Sequence, residues 1–284
     1  MTSPTFTIVT TCKGRLEYLK HSLPTFVQQP EAEVVVVDYD CPDGTKDWVA
    51  AHFPGVKVAV VANEPYFNMS RARNIGARLA TAPWLCFCDA DQLLAPSFCS
   101  MLASGLAPGT YLRTSRNLPS GPQTQPFPLA CETATYWAIG GHDDAFRGWA
   151  AEDKEFIDRL NRSGKREILL TAELVETLQH SDTERSSFYE HDMDMSSLIS
   201  LYYARIKQRY FETVGRWFTD EQRYSTYSQV ERAVIASIAE PESEATFDIR
   251  IDAGTSPWTA RLTAQDMRTY FKIRVEEHRT RWAH

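Results

Sequence analysis

The sequence lacks both a long apolar run and an excess of positive charge. No stretch approaches the roughly 20 consecutive apolar residues that cross a bilayer, so we expect no transmembrane segment. No basic region precedes an apolar core at the N-terminus, so we expect no signal peptide. Lys and Arg number 30 against 37 Asp and Glu, for a formal net charge of −7. This balance argues against binding of nucleic acid or anionic membrane through bulk charge.

Cysteine is sparse and shows no disulfide framework. The six cysteines contain no CxxC pair, which a zinc site of the usual spacing would need. Cys86 and Cys88 stand two apart in an apolar run, so we predict that both pack from one face of a strand. We therefore expect a cytoplasmic, reduced protein.

The first half of the chain alternates strand and helix patterns. Four consecutive valines in Glu33–Val37 are typical of a buried parallel strand. The predicted strands are 6–10, 33–37, 56–61, 84–88 and 168–170, and the predicted helices are 16–29, 46–52, 70–80 and 151–162. This order predicts an α/β fold with a mostly parallel central sheet flanked by helices. Asn117–Pro128 holds four prolines and is predicted to be a surface loop.

The alternation of strand and helix patterns ends after about Ser181. Apolar residues at helical spacing over 195–217 predict one long amphipathic helix, and 230–239 a second one. Phe247–Ile251 alternates like a strand, and a final helix is predicted from Thr263 towards Arg281. We place a boundary near residue 185. It separates a nucleotide-binding type of domain over 1–184 from a mainly helical C-terminal extension over 185–284.

Polar residues cluster where predicted strands end, which is where ligands bind in such sheets. Asp89 and Asp91 form a DxD directly after the strand that ends at Cys88. Carboxylate oxygens favour Mg²⁺ or Mn²⁺, and such a cation stabilises a diphosphate leaving group as a Lewis acid. A helix N-cap or a solvated turn is the alternative interpretation.

Glu152 and Asp153 begin a predicted helix. One of them is suited to act as a general base towards an acceptor hydroxyl, although acidic residues also stabilise a first helical turn through the dipole. One base suffices for a single displacement with inversion. The neighbouring Trp149 is suited either to stack on a sugar or to pack in the core.

Six further residues are candidates for ligand binding. Asp38 and Asp40 either hold a nucleotide or form an Asp-rich turn. Arg71 and Arg73 open a helix whose N-terminal amides, with the guanidinium groups, suit a diphosphate; solvated arginines are the alternative, above all for Arg73. His180 is a candidate metal ligand with His142 as its rival, and an imidazole ligand would favour Mn²⁺.

Five segments in one order resemble the family 2 glycosyltransferases of the GT-A fold, and more narrowly the chondroitin polymerase domains, β-1,4-galactosyltransferases and polypeptide GalNAc-transferases. The segments are TTCKGR at 10–15, VVVVDYDCPDGT at 34–45, FNMSRARNIGA at 67–77, WLCFCDAD at 84–91 and GGHDDAFRGWAAEDKEF at 140–156. Three departures stand out. Asp38-Tyr39-Asp40-Cys41 replaces the usual D-D-G-S, Ala150 replaces the glycine of W-G, and no recognised feature of the family covers residues 185–284.

The resemblance implies a role for each matching residue. Thr10, Arg15 and Asp38 correspond to the nucleotide pocket, and Asp89 lies near the ribose and sugar. Asp91 and His180 correspond to ligands of Mn²⁺ or Mg²⁺. Asp153 corresponds to the catalytic base, with Glu152 gripping the acceptor or the sugar.

The sequence therefore predicts an inverting, metal-dependent transferase that uses a nucleotide sugar, a UDP-sugar by resemblance. A nucleotidyltransferase and a catalytically inactive GT-A scaffold or binding protein are the alternatives. The acceptor is open. Basic residues in the C-terminal part either form solvated faces or bind an anionic acceptor, such as a glycan, a lipid-linked phosphate, a peptide or a modified nucleic acid. They are Arg205, Lys207, Arg209, Arg216, Arg268, Lys272, Arg274, Arg279 and Arg281.

Overall fold

The computed structural model describes residues 3–118, 121–179, 187–239, 244–255 and 268–278. The strands are β1 (Phe6–Cys12), β2 (Ala32–Tyr39), β3 (Lys57–Val61), β4 (Trp84–Phe87), β5 (Gln92–Leu94), β6 (Thr110–Leu118), β7 (Gly121–Glu132), β8 (Arg166–Leu170), β9 (Val175–Thr177), β10 (Glu244–Thr255) and β11 (Arg268–His278). The α-helices are α1 (Leu16–Val27), α2 (Thr45–His52), α3 (Met69–Arg78), α4 (Phe98–Gly105), α5 (Thr133–Ala138), α6 (Glu152–Arg162), α7 (Met193–Val214) and α8 (Asp220–Ala239), with a short 3₁₀ helix at Ala172–Leu174.

A seven-stranded sheet in the order β3-β2-β1-β4-β7-β6-β8 forms the first unit of the chain. Its pairs are parallel except for β7, which runs antiparallel to both β4 and β6. The predicted α/β fold with a mostly parallel sheet is confirmed.

Alternate residues of the buried strands face two separate apolar clusters, as the pleat requires. Val34 and Val36 pack in the cluster that includes Leu23 of α1 and Phe98 of α4. Val35 packs in the cluster that includes Phe156 of α6. The valine run is thus buried on both faces because helices cover both sides of the sheet.

The predicted loop over Asn117–Pro128 is wrong, because β6 and β7 form an antiparallel pair there. Ser115 is in register with Thr124 and Asn117 with Pro122. Among the described residues, β4 pairs with β7 only over 129–132. The proline-containing part of β7 therefore has one open edge, where the missing N–H of proline costs no ladder bond.

Contacts divide the chain into two compact units, Met1–Arg147 with Glu152–Glu190, and Gly148–Ala151 with His191–His284. The boundary predicted near residue 185 falls in 180–186, outside the described residues. In the second unit, α7 begins at the Asp192 cap, whose Oδ1 accepts the N–H of Met195 (2.8 Å).

The predicted C-terminal helix is wrong, because Arg268–His278 is strand β11, paired with β10. Lys272 and Arg274 are exposed whereas Ile273 and Val275 are partly buried. This alternation has the period of a strand, and it outweighs the helical spacing read from the sequence. The predicted strand at 247–251 is confirmed within β10. No helix among the described residues is both long and apolar enough to span a membrane.

Candidate active site

The carboxyl ends of β1, β2 and β4 carry the predicted site residues. From β1 the chain adds β2 and β3 on one side and later places β4 on the other. Open α/β sheets usually bind their ligands beyond the strand ends at such a change of direction, which here lies beside β1.

Arg73 joins two of the predicted segments. Its side chain is 3% exposed, and its guanidinium donates to Asp153 Oδ1 (2.8 Å) and Asp89 Oδ1 (3.1 Å). The end of β4 and the start of α6 are thus tied to one buried cation, although 64 residues separate the two carboxylates in the sequence.

Small residues on α3 bring Arg73 to this position. The helix starts at Asn68, whose Oδ1 accepts the N–H of Arg71 (2.8 Å). Ala72, Gly76 and Ala77 are buried on the sheet side, so the helix lies close enough for Arg73 to reach the strand ends.

Burial and charge shift the ionisation of the cluster. Burial raises the pKa of Glu152 to about 8, with the charge of Asp153 adding to the effect and Arg73 opposing it. The pKa values of Asp89 and Asp153 are also raised by burial, and Arg73 opposes this in both. Burial therefore favours the protonated form of Glu152, and in that form the carboxyl group is a hydrogen-bond donor.

The DxD turn has a defined shape. Gln92 accepts the N–H of Asp89 through Oε1 (2.9 Å) and donates its own N–H to the Asp89 carbonyl (3.1 Å). Leu178 donates its N–H to the Asp91 carbonyl (2.8 Å). The chain that follows β9 is thereby fixed beside the turn.

The donor set fits a divalent cation. Asp89 and Asp91 are partly exposed and offer hard oxygen ligands. The charges of Asp91 and Asp153 raise the pKa of Asp89, and a cation would relieve this repulsion. The predicted third ligand, His180, lies outside the described residues.

His142, the rival of His180, is a core residue. It is fully buried, its ring stacks on Phe156 with 4.2 Å between centroids, and its Nδ1 lies 3.0 Å from Tyr136 Oη. Burial lowers its pKa, so the ring is neutral. Asn74 completes this polar clamp, donating to the His142 carbonyl (2.8 Å) and accepting the His142 N–H (2.9 Å). The clamp joins α3 to the segment that precedes α6.

The ends of β1 and β2 carry residues that are predicted to line a nucleotide pocket. Asp38 is buried and accepts the N–H groups of Cys41 (2.9 Å) and Lys46 (2.8 Å). Asp40 accepts the N–H of Glu64 (3.1 Å). Both aspartates therefore shape the turn, as the alternative interpretation expected, and their role towards a nucleotide stays a prediction.

Of the two other residues predicted for this pocket, Thr10 is buried and Arg15 is partly buried. Thr10 is fully buried, and within the described chain its Oγ1 has no hydrogen-bond partner. Arg15 lies with its guanidinium carbon 5.3 Å from the Tyr18 ring centroid.

Arg71 and Trp149 are two further residues that are predicted to bind the donor. The guanidinium of Arg71 pairs with Glu64. Trp149 is partly buried in a segment of the second unit, where Ala150 and Ala151 have φ values of 72° and 70°. Their predicted roles at the donor remain predictions.

The basic residues of the C-terminal part do not share one environment. Lys207 is buried, with its Nζ 5.7 Å from the Trp217 ring centroid, so it is not part of a solvated face. On β11, Lys272 and Arg274 pair with Asp248. Arg279 and Arg281 lie beyond the described range.

Comparison with known proteins agrees with this geometry. Residues 7–111 match the family model described as Glycosyl transferase family 2. The structure of S. aureus TarS 1–349 in complex with UDP-GlcNAc superposes with a TM-score of 0.55 at 14% identity, covering 84% of this chain and 76% of that one. Residues 7–111 thus resemble the family 2 glycosyltransferases, and the sheet has the GT-A fold of the neighbouring structure. The predicted resemblance, fold and enzyme class agree with these matches.

Two other proteins resemble this chain. Validoxylamine A glucosyltransferase of Streptomyces hygroscopicus subsp. jinggangensis (strain 5008) is 26% identical over 220 residues, which covers 57% of this chain and 52% of the relative. The chain thus spans about half the length of the curated relatives it matches. The mannosyltransferase PcManGT from Pyrobaculum calidifontis, in complex with GDP-Man and Mn²⁺, gives a TM-score of 0.50 at 16% identity and covers 92% and 79% of the two chains.

Two buried basic residues near the candidate site are poorly predicted by the sequence. Arg73 was the less favoured arginine, yet its position four residues before the buried Ala77 marks it as lying on the inner face of α3. Lys13 is buried and donates to the carbonyls of Tyr39 (3.2 Å), Asp40 (3.0 Å) and Glu64 (2.8 Å). No sequence signal distinguished Lys13 from a surface lysine.

Proposed function

We propose that the protein transfers a sugar from a nucleotide sugar, a UDP-sugar in the first place, to an acceptor hydroxyl with inversion at the anomeric carbon. The bridge from Arg73 to Asp89 and Asp153 carries this proposal, because it puts the DxD turn and the candidate base in one site. The neighbouring structures that contain UDP-GlcNAc or GDP-Man support a nucleotide-sugar donor.

Asp153 acts as the general base. Its side chain is 21% exposed, so an acceptor hydroxyl can reach it, and Arg73 holds one of its oxygens in place. As the acceptor oxygen forms a bond with the anomeric carbon, its proton passes to Asp153, and the bond from that carbon to the diphosphate breaks. A single displacement of this kind inverts the configuration.

Glu152 binds and orients rather than abstracting a proton. With a pKa raised to about 8 by burial, the carboxyl group donates a hydrogen bond to a hydroxyl of the sugar or of the acceptor. The charge of Asp153 adds to this rise in the pKa of Glu152, so we assign the proton to Glu152 and the role of base to Asp153.

Asp91 and Asp89, with His180 as a further ligand, would hold Mn²⁺ or Mg²⁺. That cation supplies charge neutralisation for the departing nucleoside diphosphate. The Mn²⁺ bound to PcManGT supports this choice of metal. Arg73 meanwhile keeps Asp89 oriented at the end of β4.

The test is release of nucleoside diphosphate from a panel of nucleotide sugars, with Mn²⁺, Mg²⁺ or EDTA. We expect release of UDP from one donor, its loss in EDTA, and its loss in Asp91→Ala. Asp153→Asn should lower kcat by roughly 100-fold or more while UDP still binds, since the change removes the base but little volume. Glu221→Gln, an exposed change on α8, is the control.

Two results would overturn the proposal. Release of pyrophosphate instead of a nucleoside diphosphate would identify a nucleotidyltransferase. Failure of every nucleotide sugar to bind, with metal and without, would leave a GT-A scaffold. NMR of the product anomer tests inversion separately.

A further inference from the structure

The turn after β2 brings two thiols together at the edge of the nucleotide pocket. Cys12 ends β1, and Cys41 follows β2; their sulfur atoms are 3.9 Å apart. Cys12 is fully buried and Cys41 partly exposed. Neither thiol has a part in the proposed transfer.

We propose that Cys12 and Cys41 form a redox-active dithiol, which a hydroperoxide converts to a disulfide. The sulfur atoms must approach by about 2 Å to reach bonding distance. The turn that carries Cys41 is bounded by Asp40 and Gly44, both at positive φ (50° and 75°), so Cys41 sits on a bend of the chain while Cys12 is fixed in the sheet.

The two thiols have different hydrogen-bond partners and opposite pKa shifts, as expected of an attacking and a resolving thiol. Cys41 Sγ accepts the N–H of Gly14 (3.1 Å), and Cys12 Sγ lies 3.2 Å from Thr45 Oγ1. The hydrogen bond with Cys12 lowers the pKa of Cys41 to about 6, whereas the same contact raises that of Cys12. Cys41 is therefore the nucleophile and Cys12 the resolving thiol.

The reaction balances in two steps. The Cys41 thiolate attacks one peroxide oxygen, so that an S–O bond forms, the O–O bond breaks, and the leaving oxygen departs as water or alcohol after taking up a proton. The Cys12 sulfur then attacks Cys41; the S–S bond forms, the S–O bond breaks, and the hydroxide leaves as water with the Cys12 proton.

The other cysteines lack this combination. Cys86 and Cys88 also have close sulfur atoms (3.8 Å), but both are buried, and the contact with Cys88 raises the pKa of Cys86. Burial raises the pKa of Cys99 and Cys131. The described residues thus contain two close pairs of thiols, and only the pair with Cys41 includes a thiol that solvent can reach.

The first test is mass spectrometry of the full chain after peroxide treatment. We expect a loss of about 2 Da, reversed by dithiothreitol and mapped to a Cys12–Cys41 peptide. Cys41→Ser should abolish the loss. Cys12→Ala should leave a sulfenic acid on Cys41 that dimedone traps. The matched control, Cys88→Ala, removes the other close pair and should still lose 2 Da.

Several outcomes would overturn the dithiol. These are an unchanged mass, a disulfide that maps to other cysteines, and a 2 Da loss that persists in Cys41→Ser. Because Cys41 lies on a partly exposed turn, its variant tests the proposal even where Cys12→Ala fails to fold.

A second consequence rests on the proposed function. Cys41 donates its N–H to Asp38 (2.9 Å), so moving Cys41 towards Cys12 disturbs the predicted nucleotide pocket. Calorimetry with UDP and Mn²⁺ should show several-fold weaker binding to the oxidised wild type, restored by dithiothreitol, and no redox effect in Cys41→Ser. Equal binding in both redox states would overturn this link. If neither state binds UDP, the proposed function fails, while the mass measurement still decides the dithiol.

Discussion

Glu33 at the start of β2 holds three elements together through one carboxylate. It accepts hydrogen bonds from Thr7 Oγ1 (2.5 Å), Lys57 Nζ (2.7 Å) and the N–H of Thr81 (2.6 Å). Burial by itself would raise the pKa of Glu33, but these donors outweigh it and lower the pKa to about 2. The carboxylate therefore stabilises the fold only while it is ionised.

We predict that Glu33→Gln lowers the free energy of unfolding at pH 7 by about 1–2 kcal/mol, after allowance for solvent screening near Lys57. The folded-state pKa lies below the unfolded value of about 4.5. The difference between variant and wild type should therefore be complete above that value and vanish as the pH falls towards 2. Urea titrations across this range measure it. The exposed Glu17→Gln should show no such pH dependence, and an equal deficit for Glu33→Gln at every pH would contradict the prediction.

Ala150 stands where the related W-G segment has glycine, and it adopts the conformation that glycine favours, with φ at 72°. An L-residue in this region costs roughly 1–2 kcal/mol, partly offset by the greater unfolded-state entropy of glycine. We predict that Ala150→Gly raises the free energy of unfolding by about 0.5–1 kcal/mol, measured as a higher Tm. Ala145→Gly, at a buried position outside the positive-φ set, should instead lower it. A lower Tm for Ala150→Gly would contradict this reading.

At the scale of elements, α3 lies unusually close to the sheet. A Cβ added at Gly76 would be 2.4 Å from Val9 Cγ1 and 3.0 Å from Val37 Cγ2. Alanine favours a helix interior over glycine by about 1 kcal/mol, but here the methyl group would push α3 off β1 and β2. We predict a net loss of about 1–3 kcal/mol for Gly76→Ala. Chemical denaturation measures it, with Gly55→Ala as control, since nothing lies within 4 Å of that position. A stabilised Gly76→Ala would show that the helix can move freely.

The elements that the sequence predicts correctly include strands whose apolar runs result from burial on both faces of the sheet. The valines of β2 and the apolar run of β4 are buried on both faces by helices, so composition alone marks them as central strands. The β6–β7 pair and β11 were not predicted. Prolines that normally end strands are tolerated at the open edge of β7, and the alternation in β11 competes with a helical spacing of the same residues. The position of Arg73 depends on how near α3 approaches the sheet, and spacing along the chain does not determine that distance.

At the scale of the molecule, the chain passes between the two units three times, after residues 147, 151 and 190. Gly148 lies against Ser196 of α7, where an added Cβ would be 2.8 Å from the serine side chain. The short segment that leads into Glu152 and Asp153 therefore depends on residues far along the sequence.

We predict that a chain ending at residue 190 keeps its sheet but loses the order of 148–151. Its far-ultraviolet circular dichroism should retain the signal of the β-sheet, while its Tm falls and release of UDP drops below detection. The full-length protein measured in parallel is the control. Full activity of the shortened chain would contradict this dependence.

The strand order also determines when each strand can find its partner while the chain is being synthesised. β1, β2 and β3 are complete once residue 61 has been synthesised, but β4, the second neighbour of β1, ends at Phe87. At a translation rate of about 5–20 residues per second, β4 is complete roughly 1–5 s after β3, and until then one edge of β1 is unpaired. During that interval an unpaired, apolar strand edge is presented to other chains in the cell, as a template for aggregation. Slower translation between these two positions should therefore lower the soluble yield, and chaperones that bind extended apolar segments should act on this protein early.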